Sequence, residues 1–231
     1  KGSIFNGLGM AGVAVVNADD YYGPSAYQQL VGFFAQPQSP HGDKHHYCMV
    51  GYALDHTLSA NGGVNRGLCV KRQGFLAGVE ELVGIVSDPH GSCHGFKLNG
   101  ERINLAHQAV VSMNFWGFTP AIFDQMQGHF FDFLREHGAR PGAECYIPSV
   151  IDRLVREGQA DCRILKTEDH WFGVTYAQDK LQSVSKLQDL VTAGVYPRSL
   201  WSHRREDAGK RSLPPESAAH ANQNYPPAAA P

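Results

Sequence analysis

The sequence predicts an α/β fold: a mixed, mostly parallel sheet with flanking helices and an insertion rich in β-hairpins. Three observations support this prediction. An uninterrupted apolar run begins at Val13 and is followed by apolar residues at helical spacing over 24–34. Turn signals typical of hairpins fill the middle of the chain, and helical periodicity returns after residue 120.

Composition excludes some functional classes. The 231 residues carry a formal net charge of −2, so the chain has no excess of positive charge that would attract nucleic acid or an anionic membrane surface. Five scattered cysteines without a Cys-x-x-Cys pair argue against a disulfide framework or zinc cluster and favour a reducing cytoplasm. We find no apolar run of the roughly 18 residues that a membrane span needs. Because the first residue is Lys, we expect the chain to be a fragment of a longer protein.

The run over 13–23 organises the rest of the chain. It reads as a buried strand that ends in the adjacent carboxylates Asp19 and Asp20. Ligands of open α/β sheets lie at such strand ends, and carboxylate oxygens suit Mg2+, which commonly carries phosphates. An alternative stays open, because Asp is a favoured N-cap and Pro24 a favoured first helical residue. One carboxylate could therefore cap the next helix.

The middle of the chain predicts two hairpins. Strands over 64–71 and 75–80 flank a Gly-containing turn, and Asn99-Gly100 marks a second hairpin over 96–103. Asn65, Arg66 and Glu80 lie at the strand edges. These polar side chains either line a cleft or face solvent from an antiparallel pair.

The second half predicts one more buried strand and three helices. Asn114 is the one strongly polar residue of the strand over 110–118, so its amide is either satisfied by backbone or faces a ligand pocket. Helices follow over 121–137, 148–156 and 180–193, with Asp179 as the cap of the last. Residues 202–231 lack apolar periodicity and predict a disordered, Pro/Ala-rich tail.

Several segments, in this order, resemble the sugar-phosphate nucleotidyltransferases, also called nucleotide-sugar pyrophosphorylases. They are VNADDYYG at 16–23, MVGY at 49–52, TLS at 57–59, GVNRG at 63–67, GVEE at 78–81, SMNFWGF at 112–118, ECYIP at 144–148 and WFGVTY at 171–176. The resemblance covers about residues 12–201. It implies a partial nucleotidyltransferase domain over 1–201, the sugar-binding portion of a Rossmann-like fold that is incomplete at its N-terminus.

The resemblance also implies site residues. Asp19 falls where the family places a metal-binding, catalytic aspartate, and Glu80 where an acidic residue holds sugar hydroxyls. Gly67 and Asn114 fall at positions that line the sugar pocket. Further substrate-binding candidates are Asp20 and Arg66. The implied cofactor is Mg2+.

The sequence departs from the family pattern in three places. The N-terminal Gly-rich loop, with the Arg and Lys that neutralise the triphosphate, is missing. Glu81 stands where a lysine commonly follows the sugar-binding Glu, and Gly173 stands where a second metal-binding Asp is usual. Asp179 is the remaining candidate for the second metal ligand, although it also fits the helix cap.

The function that the resemblance implies joins a nucleoside triphosphate to a sugar 1-phosphate and releases pyrophosphate. UTP and glucose 1-phosphate are the expected pair. Two alternatives stay open: a noncatalytic, nucleotide-sugar-binding regulatory subunit, and a metal-dependent glycosyltransferase that uses Asp19 and Asp20. We expect no nucleic-acid or membrane partner, and a homo-oligomer is compatible with the sequence.

Overall fold

The computed structural model describes residues 12–36, 44–88, 91–174 and 176–199. The predicted tail over 202–231 lies outside the described residues. The chain divides into two units, Lys1–Ser185 and Lys186–Pro231. The sheet and the candidate site belong to the first. The described part of the second contains the end of the last helix, which Gly194 follows with a φ of 75°.

The secondary structure consists of ten strands, four α-helices and one 3-10 turn over the described residues. The strands are β1 Val13–Val15, β2 Asp20–Tyr21, β3 His45–Ala53, β4 Val64–Arg72, β5 Phe75–Ser87, β6 Cys93–Lys97, β7 Arg102–Leu105, β8 Val110–Phe118, β9 Ala160–Lys166 and β10 Phe172–Gly173. The helices are α1 Pro24–Ala35, α2 Ile122–His137, α3 Ile147–Arg156 and α4 Asp179–Thr192, and the 3-10 turn is Leu54–Thr57.

The main sheet contains eight of these strands and is predominantly antiparallel. Its path runs β1-β8-β3-β9-β5-β6-β7, and β4 pairs with both β5 and β8. The strands β3, β9, β5, β4 and β8 therefore form a closed ring. Among the strand pairs of the described residues, one, β3 with β9, is parallel.

The prediction of a Rossmann-like, mostly parallel α/β sheet is therefore wrong. The hairpin strands β4 and β5, expected in an insertion, are members of the closed ring. The hairpins themselves are present: Gln73 and Gly74 join β4 to β5 with positive φ angles of 52° and 90°, as a type I′ turn requires. Short turns of this kind produce antiparallel neighbours, which explains the sheet's character.

The first apolar run also differs from the prediction. Residues 13–15 form a short, half-buried strand that pairs antiparallel with Trp116–Phe118 of β8. The chain then leaves the sheet in a turn over 18–19 before β2 pairs with β10 in a separate two-stranded sheet. Asp19 and Asp20 therefore follow an edge strand and not a buried parallel one.

The core has two layers, one on each face of β3. Alternate residues of β3 point to opposite sides. Cys48, Val50 and Tyr52 pack in the layer with α1, whereas Tyr47 and Met49 pack in the layer with α3. All five cysteines are free thiols. No helix of the described residues is long and apolar enough to cross a membrane.

Candidate functional site

The described surface contains a polar cavity of about 340 Å³ beside the closed ring. This volume falls in the range of small-molecule pockets, about 300–1,000 Å³. The lining comes from β2 and the turn before it, from β4, β5 and β8, and from the segments around Pro148 and Trp171. Its residues are Asn17, Asp19, Asp20, Asn65, Arg66, Gly67, Glu81, Ser112, Met113, Asn114, Pro148, Trp171 and Val174.

Asp20 is held in place at the pocket wall by its neighbours. Its Oδ2 accepts a hydrogen bond from Asn17 Nδ2 at 2.8 Å and lies 3.2 Å from the Tyr22 hydroxyl. That hydroxyl donates to Met113 O at 2.8 Å and accepts from the Asn17 N–H, so Tyr22 ties β2 to β8. Desolvation raises the pKa of Asp20, while the hydrogen bonds from Asn17 and Tyr22 oppose the rise.

Neither Asp19 nor Asp20 caps α1. The N-cap position is Gly23, and the backbone N–H of Ala26 donates to Asp169 Oδ2 at 2.9 Å. Ala26 is the third residue of the helix, a position whose N–H an N-cap side chain normally satisfies. An aspartate from the connection between β9 and β10 therefore caps this helix, and Asp19 remains exposed at the pocket mouth.

Arg66 is the one cation among the described residues that line the pocket. Its guanidinium is buried and donates to Thr57 Oγ1 at 3.2 Å, to Asn65 O at 2.7 Å and, through Nη2, to Thr57 O. Its Cζ also lies 4.7 Å from the centroid of the Trp171 ring, in a cation–π contact. Desolvation lowers the pKa of Arg66 to about 10, and Asp20 and Glu81 oppose this fall, so the group stays charged at neutral pH.

Gly67 packs closely against Val79 and lies beside Glu81. Gly67 pairs with Ser112 on one side and with Glu81 on the other. A Cβ at position 67 would lie 2.8 Å from Val79 Cγ1 and 3.7 Å from Glu81 Oε2. Desolvation raises the pKa of Glu81, and the charge of Arg66 opposes the rise.

Glu80 lies outside the pocket lining. Its carboxylate forms an exposed ion pair with Lys97 at 3.7 Å. Neighbouring residues of a strand face opposite sides, so one of the pair Glu80 and Glu81 can face the pocket, and in the structure it is Glu81. Of the two adjacent acids, the described pocket lining therefore includes Glu81 and not the predicted Glu80.

Asn114 occupies a bulge in β8. Its φ is +60°, a left-handed conformation that is uncommon for residues other than glycine. The register between β3 and β8 shifts at this point, from Met49 opposite Trp116 to Gly51 opposite Ser112. Bulges of this kind turn a side chain out of the regular alternation, and here the amide lines the pocket. Its Oδ1 accepts a 3.4 Å hydrogen bond from Trp116 Nε1.

Asp179 is separate from the pocket. Its Oδ2 accepts from the backbone N–H of Tyr176 at 2.7 Å, and its Oδ1 accepts from Asn61 Nδ2 at 2.6 Å and from Ser59 Oγ at 3.3 Å. These partners all precede α4 in the chain, and Asp179 is not among the described residues that line the pocket.

The described residues contain no group of three or more His, Cys, Asp or Glu side chains placed to hold a metal ion. Mg2+ is often held by only one or two carboxylates together with substrate phosphates. Asp19 and Asp20 fit that arrangement. They do not form a closed protein cage.

The pocket unites five residues that the sequence predicted for the site and omits two. Those present are Asp19, Asp20, Arg66, Gly67 and Asn114, and those elsewhere are Glu80 and Asp179. Sequence reasoning missed Glu81 and Trp171 as lining groups. The available signal for Glu81 was the adjacent pair Glu80 and Glu81, because neighbouring side chains of a strand face opposite sides and either one could face a pocket.

Comparison with known proteins gives no assignment for this chain. No protein-family model matches it. No curated protein matches it significantly.

Proposed function

We propose that this pocket binds a sugar 1-phosphate and that the chain contributes the sugar site of a nucleotidyltransferase. The observation that carries the proposal is the meeting of Asp19, Asp20, Gly67 and Asn114 in one cavity. These residues come from three separate segments of the ordered set that resembles the nucleotide-sugar pyrophosphorylases. A chance resemblance of short motifs gives no reason for them to share a pocket.

The chemistry of the lining supports a sugar ligand. Glu81 offers carboxylate oxygens, Asn114 an amide and Ser112 a hydroxyl, and the ring of Trp171 adds an apolar surface. Groups of this kind donate to and accept from neighbouring sugar hydroxyls. Such a site rejects analogues that lack a hydroxyl, because its own polar groups would be left unpaired.

The charge of the lining determines how a phosphate can be accommodated. Three carboxylates, Asp19, Asp20 and Glu81, face one cation, Arg66, whose guanidinium already donates to Thr57 and Asn65. A phosphate therefore needs further positive charge at the pocket mouth. Mg2+ would supply that neutralisation, with Asp19 as its exposed protein ligand and Asp20 beside it.

The proposed reaction is an in-line displacement. An oxygen of the sugar 1-phosphate attacks the α-phosphorus of the triphosphate, the bond from that phosphorus to its bridging oxygen breaks, and pyrophosphate leaves. Catalysis of this type consists mostly of positioning and charge neutralisation. In this proposal Glu81 and Asn114 orient the sugar, and Asp20 and Tyr22 keep β2 fixed against β8.

A second candidate function is noncatalytic binding of a nucleotide-sugar. It is supported by Arg66, the one cation among the described lining residues, because its guanidinium is buried and already donates to Thr57. Within the described residues, the pocket therefore provides no free cation for a triphosphate. In this case the sugar is recognised and no pyrophosphate is released.

Pyrophosphate release tests the proposal. The chain is mixed with each of four nucleoside triphosphates and a panel of hexose 1-phosphates, with Mg2+ or with a chelator. Release from one pair, with UTP and glucose 1-phosphate as the expected substrates, and loss of release on chelation would support the catalytic function. Saturable binding of the nucleotide-sugar without release would select the noncatalytic function. Absence of both release and sugar-phosphate binding would overturn the proposal.

A further inference from the structure

Helix α2 carries large apolar side chains on the face that points away from the domain. Residues 123, 127, 130 and 134 are spaced four, three and four apart, so they form one stripe along the helix. Three of them are apolar and remain open to solvent, as does Phe131 beside them. The exposed fractions are 60% for Phe123, 47% for Phe130, 57% for Phe131 and 44% for Leu134.

The opposite face of α2 already has its packing partners. Ile122 is buried and Met126 packs against the core layer that includes α3. Asp132 makes a 3.4 Å ion pair with Arg153 of α3. The exposed aromatic stripe is therefore not the core-facing side of this helix. A contiguous apolar surface of this kind marks an interaction site, whereas single exposed apolar residues need no explanation.

A second stripe lies beside the first and suggests what covers it. Asp124, Gly128, Phe131 and Arg135 are also spaced four, three and four apart, and all four are exposed. An acid stands near the start of the stripe and a base near its end. A Cβ at Gly128 would meet nothing within 4 Å, so the middle of the stripe leaves open space.

We infer that two copies of this chain pair through antiparallel α2 helices. In a two-fold pair of antiparallel helices, a residue a given number of positions before the axis lies opposite the partner's residue the same number of positions after it. An axis between His129 and Phe130 places Asp124 of each copy opposite Arg135 of the other. The same axis places Phe131 of each copy over Gly128 of the other.

Charge and shape both agree with this arrangement. The two Asp124–Arg135 contacts are symmetric and of opposite sign, whereas a parallel pair would place like charges side by side. Gly128 allows the helices to approach at the short end of the usual 8–10 Å range, with Phe131 filling the space. Arg135 donates to Asp132 of its own helix at 2.9 Å and has further N–H groups for a second carboxylate.

Charge-reversal variants test the pairing. Dimerisation of the full chain is measured by sedimentation equilibrium at concentrations up to about 100 µM, a range in which micromolar dissociation constants are resolved. The wild type is expected to dimerise. Asp124→Arg and Arg135→Asp should each weaken dimerisation by about tenfold or more, since each places like charges opposite each other. Mixing the two variants in equal amounts should restore dimers, because a mixed pair has an opposite-charge contact at both positions.

Two further variants make the test decisive. Phe131→Ser should weaken dimerisation through lost apolar burial, and Arg102→Glu, on exposed β7, should leave it unchanged. Far-ultraviolet circular dichroism confirms that each variant is folded. A monomeric wild type throughout the range, or an equimolar mixture that stays as dissociated as its components, would overturn the inference. Pocket function plays no part in this experiment, so its outcome is independent of the proposed activity.

Discussion

The backbone of Gly173 packs directly against the carboxylate of Asp20. The two residues are paired between β10 and β2, and a Cβ at position 173 would contact Asp20 Oδ1 and lie 2.8 Å from Cζ2 of Trp171. The resemblance inferred from the sequence would place an aspartate at position 173. In this chain that position instead allows Asp20 and Trp171 to close one wall of the pocket.

A side chain at position 173 should therefore destabilise the protein. Gly173→Ala is expected to lower the free energy of unfolding by about 1–3 kcal/mol, the usual effect of overpacking. Urea denaturation measures this. The matched control is Gly32→Ala in α1, where a Cβ meets nothing within 4 Å and the helix gains about 0.5–1 kcal/mol. Equal effects of the two substitutions would contradict the close packing of Gly173.

The cap of α1 gives a second prediction. Asp169→Ala removes the acceptor of the Ala26 N–H and should lower the free energy of unfolding by about 1 kcal/mol. Asp19→Ala should leave stability near the wild-type value, because Asp19 is exposed and Gly23 is the cap residue. If urea denaturation shows a larger loss of stability for Asp19→Ala than for Asp169→Ala, the interpretation in which Asp19 caps the helix would be restored.

The pH dependence of stability follows from Asp20 and Glu81. Partial burial raises the pKa of both carboxyl groups above their ordinary values, so the folded state holds these protons more tightly than the unfolded state. The contribution of these groups to the free energy of unfolding is therefore most favourable at low pH. It is lost as the pH rises from the ordinary pKa range of a carboxyl group through the raised pKa values of the folded state.

Asp20→Asn and Glu81→Gln should remove part of this loss. Relative to wild type, each variant is expected to gain stability between pH 4 and pH 7, a range that spans the ordinary pKa of a carboxyl group. Thermal unfolding across that range measures the difference. A difference from wild type that stays constant with pH would show that neither carboxyl titrates abnormally.

Local sequence signals predicted elements well and sheet topology poorly. The helix from Pro24 and the hairpin at Gln73-Gly74 follow from nearby residues, because their spacing and turn chemistry are local. The closed ring depends on pairings between distant strands, such as Gly67 with Ser112, that no local pattern records. The single-residue contact that joins Phe75 to Arg163 is of the same kind.

The candidate site divides in a similar way. The resemblance led to Asp19, Gly67 and Asn114, and the pair of carboxylates after the first apolar run led to Asp20. All four line the pocket. The choice between Glu80 and Glu81 depended on strand register, which a shift of one residue reverses. The cap of α1 comes from Asp169, more than 100 residues along the chain, so the local Asp-then-Pro pattern pointed to the wrong carboxylates.

Binding of glucose 1-phosphate to two neighbouring variants tests the central claim most directly. Isothermal titration calorimetry with Mg2+ present compares Glu81→Ala, in the pocket, with Glu80→Ala, whose carboxylate pairs with Lys97 outside it. We expect Glu81→Ala to weaken binding by about tenfold, or ~1.4 kcal/mol, and Glu80→Ala to bind like the wild type. Equal loss in both variants, or no binding of any hexose 1-phosphate by the wild type, would contradict a sugar-phosphate site in this pocket.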